Sequence, residues 1–201
     1  MGMKEKFFTQ FSHPKGWLGH FVGWLMARKN ISRLRWGAQK LQPQNHHDIL
    51  EIGYGPGSFI QILLKEHAHQ GHIYGIDISD VMYVQASRRN QQAVENGQVI
   101  LKQASVEALP FDTGSFDRVY TSNTNMFWPD PVENMKEIAR VLKPDGLFCL
   151  SLQPHWIKTG EGVKREAESI RAQMEQAGFR NIEMDFKQMK PIACLCLTGT
   201  L

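Results

Sequence analysis

Cysteine is scarce in this chain. Its three cysteines, Cys149, Cys194 and Cys196, are too few for a disulfide framework. All sit in apolar, strand-like runs, and Cys194 and Cys196 are two apart, so a strand would turn them to the same side. They read as small core residues. No Cys/His cluster has zinc-site spacing, and no metal is expected. Long apolar runs are missing too. The most apolar stretch, 17–27, is shorter than the ~20 residues that span a bilayer, and it contains His20. No signal-type apolar segment precedes Gln10, so a soluble cytoplasmic protein is the expectation. Repeats and low-complexity linkers are also absent. The 201 residues, 42% hydrophobic and 21% charged, suit one domain able to bury a core, with a short appendage.

Acidic residues are nearly missing from the first 44 positions. Lys4, Lys6, Lys15, Arg28, Lys29, Arg33, Arg35 and Lys40 stand against Glu5 alone, a net +7 that leaves −4 for 45–201 out of the whole-chain +3. The same arm holds Phe7, Phe8, Phe11, Trp17, Phe21, Trp24 and Leu25, of which Trp17, Phe21, Trp24 and Leu25 share one helical face. Two readings stand side by side. The charges form a solvated helical face, or they meet an anionic lipid or nucleic-acid surface. The aromatics pack on the domain, wall an apolar pocket, or lie in a membrane interface.

Ile49-Leu50-Glu51-Ile52-Gly53-Tyr54-Gly55-Pro56-Gly57-Ser58-Phe59 is the richest segment. An apolar run ends in an acid, three glycines follow at alternate positions, and a helical pattern begins. Glycine allows backbone angles that a Cβ forbids and lets a ligand lie against the main chain. A dinucleotide fingerprint would need a third glycine where Ser58 stands. Pro56 also removes one N–H from a phosphate-type cradle. Glu51 suits a cationic ligand better than a pyrophosphate. A dinucleotide site and a plain structural turn remain the alternatives for the loop alone.

Beyond it, strand and helix patterns alternate. Strands are expected at 48–53, 72–78, 98–103, 116–122, 147–152, 181–188 and 192–198. Helices are expected at 57–67, from Ser79 or Asp80 to Glu95, at 131–142 with Pro131 in the first turn, and at 162–177 before Gly178. Pro144-Asp145-Gly146 reads as a turn. The last two strands are joined only by Met189-Lys190-Pro191, too short for a parallel crossover, so they must be antiparallel. The alternation predicts an α/β fold with helices on both faces of a mostly parallel sheet and a ligand site at the strands' carboxyl ends.

The loop resembles motif I of the class I S-adenosylmethionine-dependent methyltransferases, Glu-x-Gly-x-Gly-x-Gly. Four further segments extend the resemblance over about half the chain, 49–151. Tyr74-Gly75-Ile76-Asp77-Ile78-Ser79 places an acid at the second strand's end. Glu107-Ala108-Leu109-Pro110-Phe111-Asp112, followed by Gly114-Ser115-Phe116-Asp117, is similar to a signature of the branch that includes ubiquinone/menaquinone-biosynthesis methyltransferases. A run from Phe116 through Ser122 and Asn123 to Pro131, and Glu137 to Gly146, complete the series; the last reads as architectural.

The resemblance implies a Rossmann-like doubly wound sheet of seven strands with an antiparallel C-terminal strand. A helical arm or cap at 1–44 precedes a cofactor-binding domain at 45–201. It implies S-adenosylmethionine as cofactor, held by Glu51, Gly53, Tyr54, Gly55, Gly57, Asp77, Ile78, Ser105, Val106, Ser122 and Asn123. Asp77 would accept the ribose hydroxyls. Ser105 stands where relatives keep an aspartate for the adenine amine, and the Val106 N–H would meet the ring. The sulfonium is already an activated leaving group, so orientation and exclusion of water can supply most of the catalysis. No catalytic residue is assigned. His20 and His155 are candidate bases if the acceptor must lose a proton, and Trp24, Phe127 and Trp128 join them as candidate pocket residues.

Met126-Phe127 departs from the His-His pair of many relatives. The (Asp/Asn/Ser)-Pro-Pro-aromatic tetrad of amino-methylating nucleic-acid enzymes is missing at Ser122-Asn123-Thr124-Asn125. So is the Pro-Cys pair of cytosine-carbon enzymes. A small-molecule acceptor, apolar or lipid-like, is therefore expected, with nucleic acid disfavoured. The alternative is a module that binds the cofactor without turnover.

Overall fold

A computed structural model describes residues 31–67 and 69–201. A helix over 31–41 (α1) comes first. There follow β1 Ile49–Ile52, α2 Ser58–Glu66, β2 Ile73–Asp77, α3 Asp80–Arg89, α4 Gln91–Glu95, β3 Val99–Gln103, β4 Phe116–Ser122, a short 3-10 turn Asn125–Phe127, α5 Pro131–Val141, β5 Leu142–Leu152, α6 Gly160–Gln176, β6 Arg180–Lys187 and β7 Cys194–Thr200. The strands form one sheet in the order β3-β2-β1-β4-β5-β7-β6. The pairs from β3 to β5 are parallel, and β7 runs antiparallel to both neighbours. The seven-stranded doubly wound sheet expected from the sequence is the observed fold. The chain reverses its direction of strand addition between β1 and β4, where sheets of this kind leave a crevice.

Period-two alternation splits the core between the faces. Leu50, Ile52, Phe148, Leu150, Leu195 and Leu197 pack with α5 and α6. Ile49, Tyr120, Cys149, Cys194 and Cys196 pack on the other face with α1 to α4. The three cysteines are buried there, as their strand positions predict. Residues 31–41 of the basic arm therefore belong to the body of the domain. Gly37 lets α1 cross close to the Tyr120 ring, because a Cβ there would overlap the phenol oxygen. Phe59 stacks on the same ring at 3.8 Å between centroids. Positions 1–30, with His20 and Trp24, lie outside the described residues. Among the described residues no helix is long and apolar enough to cross a membrane.

Beyond shifts of one or two residues at element ends, two boundaries differ from expectation. The helix expected to reach Glu95 breaks at Asn90, whose side-chain amide donates to Gly57 O at 3.0 Å and Ala86 O at 3.1 Å. The side chain thus ties the end of α3 to the start of α2. Pro144-Asp145-Gly146 lies inside β5. Leu142 pairs with Phe116 and Leu147 with Arg118, so the intervening residues bulge from the ladder.

The signature at 107–111 is held from beneath. Leu109 N–H donates to Glu137 Oε1 at 2.8 Å, and Arg140 donates to Phe111 O at 2.8 Å and Leu109 O at 3.1 Å. Glu137 and Arg140 line no part of the cavity described next, in keeping with an architectural role.

Candidate active site

A cavity of about 570 Å³ opens at the carboxyl ends of β1, β2, β3 and β4. Its wall contains Glu51, Gly53, Tyr54, Gly55, Asp77, Ile78, Ser105, Val106, Ser122 and Asn123, ten of the eleven positions singled out for the cofactor, together with Phe127 and Trp128. Gly57 is the exception. A Cβ there would meet Ala86 and Asn90 Nδ2 within 3 Å, so this glycine serves close packing of α2 against α3 and does not face the cavity. His155 is exposed and also lies outside the lining. Partial burial and the positive charges of Arg33 and Lys158 push its pKa down.

The loop after β1 owes its shape to glycine. Gly53, Gly55 and Gly57 all have positive φ, and Gly55 would carry a Cβ into open space. Asp77 fixes the loop to β2: its Oδ2 accepts from Gly55 N–H at 2.9 Å and its Oδ1 from Ser79 N–H at 3.0 Å. Ser79 caps α3 by accepting from Met82 N–H. Past β4 the chain turns sharply at Asn123, which adopts φ 56. Its Oδ1 accepts from Gln153 N–H at 2.9 Å, which holds the turn against the end of β5.

Three buried polar groups reach this cavity with atoms unsatisfied. Glu51 is 3% exposed, and its Oε2 has no hydrogen-bond partner. Burial first, and the negative charge of Asp77 second, push its carboxyl well above the usual carboxylate range. The Ser58 hydroxyl at the start of α2 is likewise unpartnered. So is Nη1 of Arg33, contributed by α1. From the sequence Arg33 is one of the arm's charges, on a solvated face or facing an anionic surface; only the packing of α1 brings it to the site.

The β3 side carries a hydroxyl–carboxylate pair. Ser105 Oγ donates to Glu107 Oε2 at 3.0 Å and accepts Glu107 N–H at 3.3 Å, and both residues line the cavity. The opposite, β4 side is apolar at Leu34, Phe127, Trp128 and Pro129. Phe127 is 45% exposed and Ile78 43%, an apolar rim on a cavity whose floor is charged.

Residues 50–150 match a family model described as "Methyltransferase domain". The uncharacterized methyltransferase YdaC of Bacillus subtilis (strain 168) is 33% identical over 179 residues, 89% of this chain and 96% of that protein. The 2-methyl-6-phytyl-1,4-hydroquinone methyltransferase 1 (chloroplastic) of Oryza sativa subsp. japonica is 31% identical over 107 residues, 52% of this chain and 31% of that protein. Among solved structures, geranyl diphosphate C-methyltransferase from Streptomyces coelicolor A3(2), in complex with Mg2+, geranyl diphosphate and S-adenosyl-L-homocysteine, superposes with a TM-score of 0.66 at 12% identity. It covers 86% of this chain and 79% of that one.

Proposed function

The chain belongs to the methyltransferase family and is an S-adenosylmethionine-dependent enzyme; from that premise we propose that it methylates a small-molecule acceptor of apolar or lipid-like character. When bound, S-adenosylmethionine supplies a methyl group activated by the sulfonium.

The chain's own residues fit that cofactor. Glu51 offers a buried carboxyl with a free oxygen to the cationic end, which would restore the ionisation that burial opposes. Asp77 faces the cavity, and its carboxylate would accept from the ribose hydroxyls. Ser105, Val106 and Glu107 form the wall for the adenine. Gly55, where an added Cβ would meet nothing, lets the ligand lie against the backbone. Held by these residues, the cofactor would present its methyl group to an acceptor bound in the same cavity, where orientation supplies much of the rate.

The observation that carries the acceptor class is the apolar β4 side, Leu34, Phe127, Trp128 and Pro129, continuous with the charged cofactor floor. The names of the rice relative and of the Streptomyces structure, a phytyl hydroquinone enzyme and a geranyl diphosphate enzyme, support acceptors of this kind.

The test follows labelled methyl from the cofactor into a cell extract, partitioned between organic solvent and water. Label in the organic phase supports the reading, and label confined to water-soluble products overturns the acceptor class. Cofactor binding with no label in either phase favours the binding module without turnover. Repeating the assay with residues 1–30 deleted asks whether the aromatic arm caps the acceptor. Loss of transfer with cofactor affinity kept supports a cap, and full activity removes the arm from catalysis.

A further inference from the structure

We propose that the carboxyl edge of the sheet is a lipid-docking face, and that the protein sits on an anionic membrane surface with its cavity mouth turned toward the bilayer. This rests on the reading of the acceptor as apolar or lipid-like.

The exposed apolar side chains are not scattered. Among the described residues eight large ones are exposed, and six of them lie in connections that leave the carboxyl ends of parallel strands. Ile78 follows β2 directly, and Tyr83 and Val84 lie in the first half of α3. Met126 and Phe127 follow β4, and Trp156, 49% exposed, follows β5. β2, β1, β4 and β5 are successive parallel strands, so these connections stand along one edge. Ile78 and Phe127 also line the cavity, which puts the apolar edge around its mouth. Isolated exposed apolar residues are ordinary, but a group of them on one edge marks an interaction surface.

Each connection is also inverted relative to a loop that faces water. It buries a polar residue and exposes an apolar one close by. Ser79 is buried beside exposed Ile78. After β4, Phe127 N–H donates to Thr124 O at 2.9 Å and Trp128 N–H to Asn125 O at 3.2 Å. That turn buries Asn125 and leaves Met126 and Phe127 exposed. After β5, Gln153 is buried with its side-chain amide donating to Lys190 O and Ile192 O. The turn closed by Ile157 N–H on Pro154 O at 3.0 Å leaves Trp156 outside. Hydrogen bonds thus hold apolar side chains in water, a cost that contact with hydrocarbon would remove.

The charge that favours a lipid surface comes from the arm. Residues 1–30 carry Lys4, Lys6, Lys15, Arg28 and Lys29 against Glu5, a net +4, together with six aromatics. That is the composition of segments that lie in an anionic membrane interface. The arm joins the described chain at Ile31, and Arg33 and Leu34 of α1 line the cavity, so it meets the domain at this same edge. The edge itself carries both signs, at Lys158, Asp80 and Asp130, which leaves attraction to anionic headgroups to the arm. A protein so placed takes a lipid-like acceptor from the bilayer without passing it through water.

Co-sedimentation of the full chain, without cofactor or acceptor, tests the face. The vesicles are phosphatidylcholine alone, or phosphatidylcholine and phosphatidylglycerol in equal parts. Wild type is expected to bind the mixed vesicles in preference to the neutral ones and to be released as salt rises. Met126 and Trp156 lie outside the cavity lining, and Met126→Ser with Trp156→Ser should weaken partition by about tenfold or more. Leu201→Ser should leave it unchanged, because this exposed residue lies at the opposite edge, where Thr200 pairs with Leu147. Trp156→Phe keeps the apolar surface and should bind as wild type does. The difference in acrylamide quenching between those two proteins isolates Trp156, and mixed vesicles should remove it. Wild type that stays in solution, no preference for the anionic vesicles, undiminished binding by the serine variant, an equal loss in Leu201→Ser, or a Trp156 that acrylamide still reaches on vesicles would each overturn the face. So would a wild-type dimer, dispersed by the serine substitutions, that binds no lipid, since the edge would then meet a second copy. With no cofactor present, these failures leave methyl transfer standing, whereas label confined to water-soluble products overturns the acceptor class with vesicle binding intact.

Discussion

Ser105 Oγ and Glu107 Oε2 lie 3.0 Å apart in a hydrogen bond at the β3 end of the cavity. The serine that replaces the family's aspartate thus holds a carboxylate from two residues further on. Glu107 is then the expected acceptor for the adenine amine. Glu107→Ala should weaken S-adenosylhomocysteine by ~0.5–1.5 kcal/mol, the scale of a single exposed hydrogen bond. It should also reduce the preference for adenosine over inosine in competition. Ser105→Asp in the Glu107→Ala background should restore both. Wild-type affinity in Glu107→Ala would show that the amine is bound elsewhere.

Asp77 combines two tasks, since its oxygens pin Gly55 and Ser79 while facing the cavity. Asp77→Ala should cost ~1.5–3 kcal/mol of cofactor affinity, the range for hydrogen bonds to a charged group. The far-UV circular dichroism should not change, because the sheet does not depend on this side chain. Unchanged affinity would remove Asp77 from the ribose.

Glu51 predicts proton release on cofactor binding. Burial and Asp77 raise its pKa in the free protein, so below that raised value it carries a proton. A cationic group beside it favours the carboxylate, and binding then expels the proton. Affinity should rise with pH from the ordinary carboxylate range up to the raised pKa and level off above it. Calorimetry in two buffers of different ionisation enthalpy measures the release directly. Glu51→Gln should abolish it, and equal enthalpies in both buffers for wild type would contradict the assignment.

Asp117 predicts a stability effect away from the site. It accepts from Asp48 N–H at 2.8 Å and pairs with Lys143 at 2.8 Å. Burial alone would raise its pKa, but Lys143 and the Asp48 N–H together hold it below its ordinary 3.8. A depressed acid contributes stability that is full above its unfolded pKa and is lost as pH falls through the folded one. Asp117→Asn should therefore destabilise by ~1–3 kcal/mol at neutral pH. The deficit should shrink once pH drops below 3.8. Urea melts of both proteins across that interval check the sign, and a gap independent of pH would mean that the lost charge is irrelevant.

Much of this protein is legible from its sequence, because strands and helix starts are local. The run 116–122 holds the strand formers Phe116, Val119, Tyr120 and Thr121 and is entered through the turn residues 112–115, and β4 is Phe116–Ser122. The glycines of 53–57 announce their backbone angles by lacking a Cβ, and the short connector expected at 189–191, which spans 188–193 in the structure, leaves no room for a parallel crossover, so β6 and β7 are antiparallel. Apart from α1, the segments that line the cavity are likewise those whose motifs stand out along the chain.

Tertiary packing decided the rest. The helix break at Asn90 depends on a carbonyl 33 positions away, and the early start of β5 on pairing with Phe116. Gly57 looks like its neighbours in the loop but faces Ala86. Glu107 meets the Ser105 hydroxyl only because a turn brings the two together. Arg33 reads as one charge of a basic arm, yet it reaches Ser122 across 89 positions and is buried there. Local pattern fixes where backbone polar groups pair and which faces are apolar. Whether a particular charge is left solvated or buried depends on which surfaces close over it, and that is a property of the assembled fold.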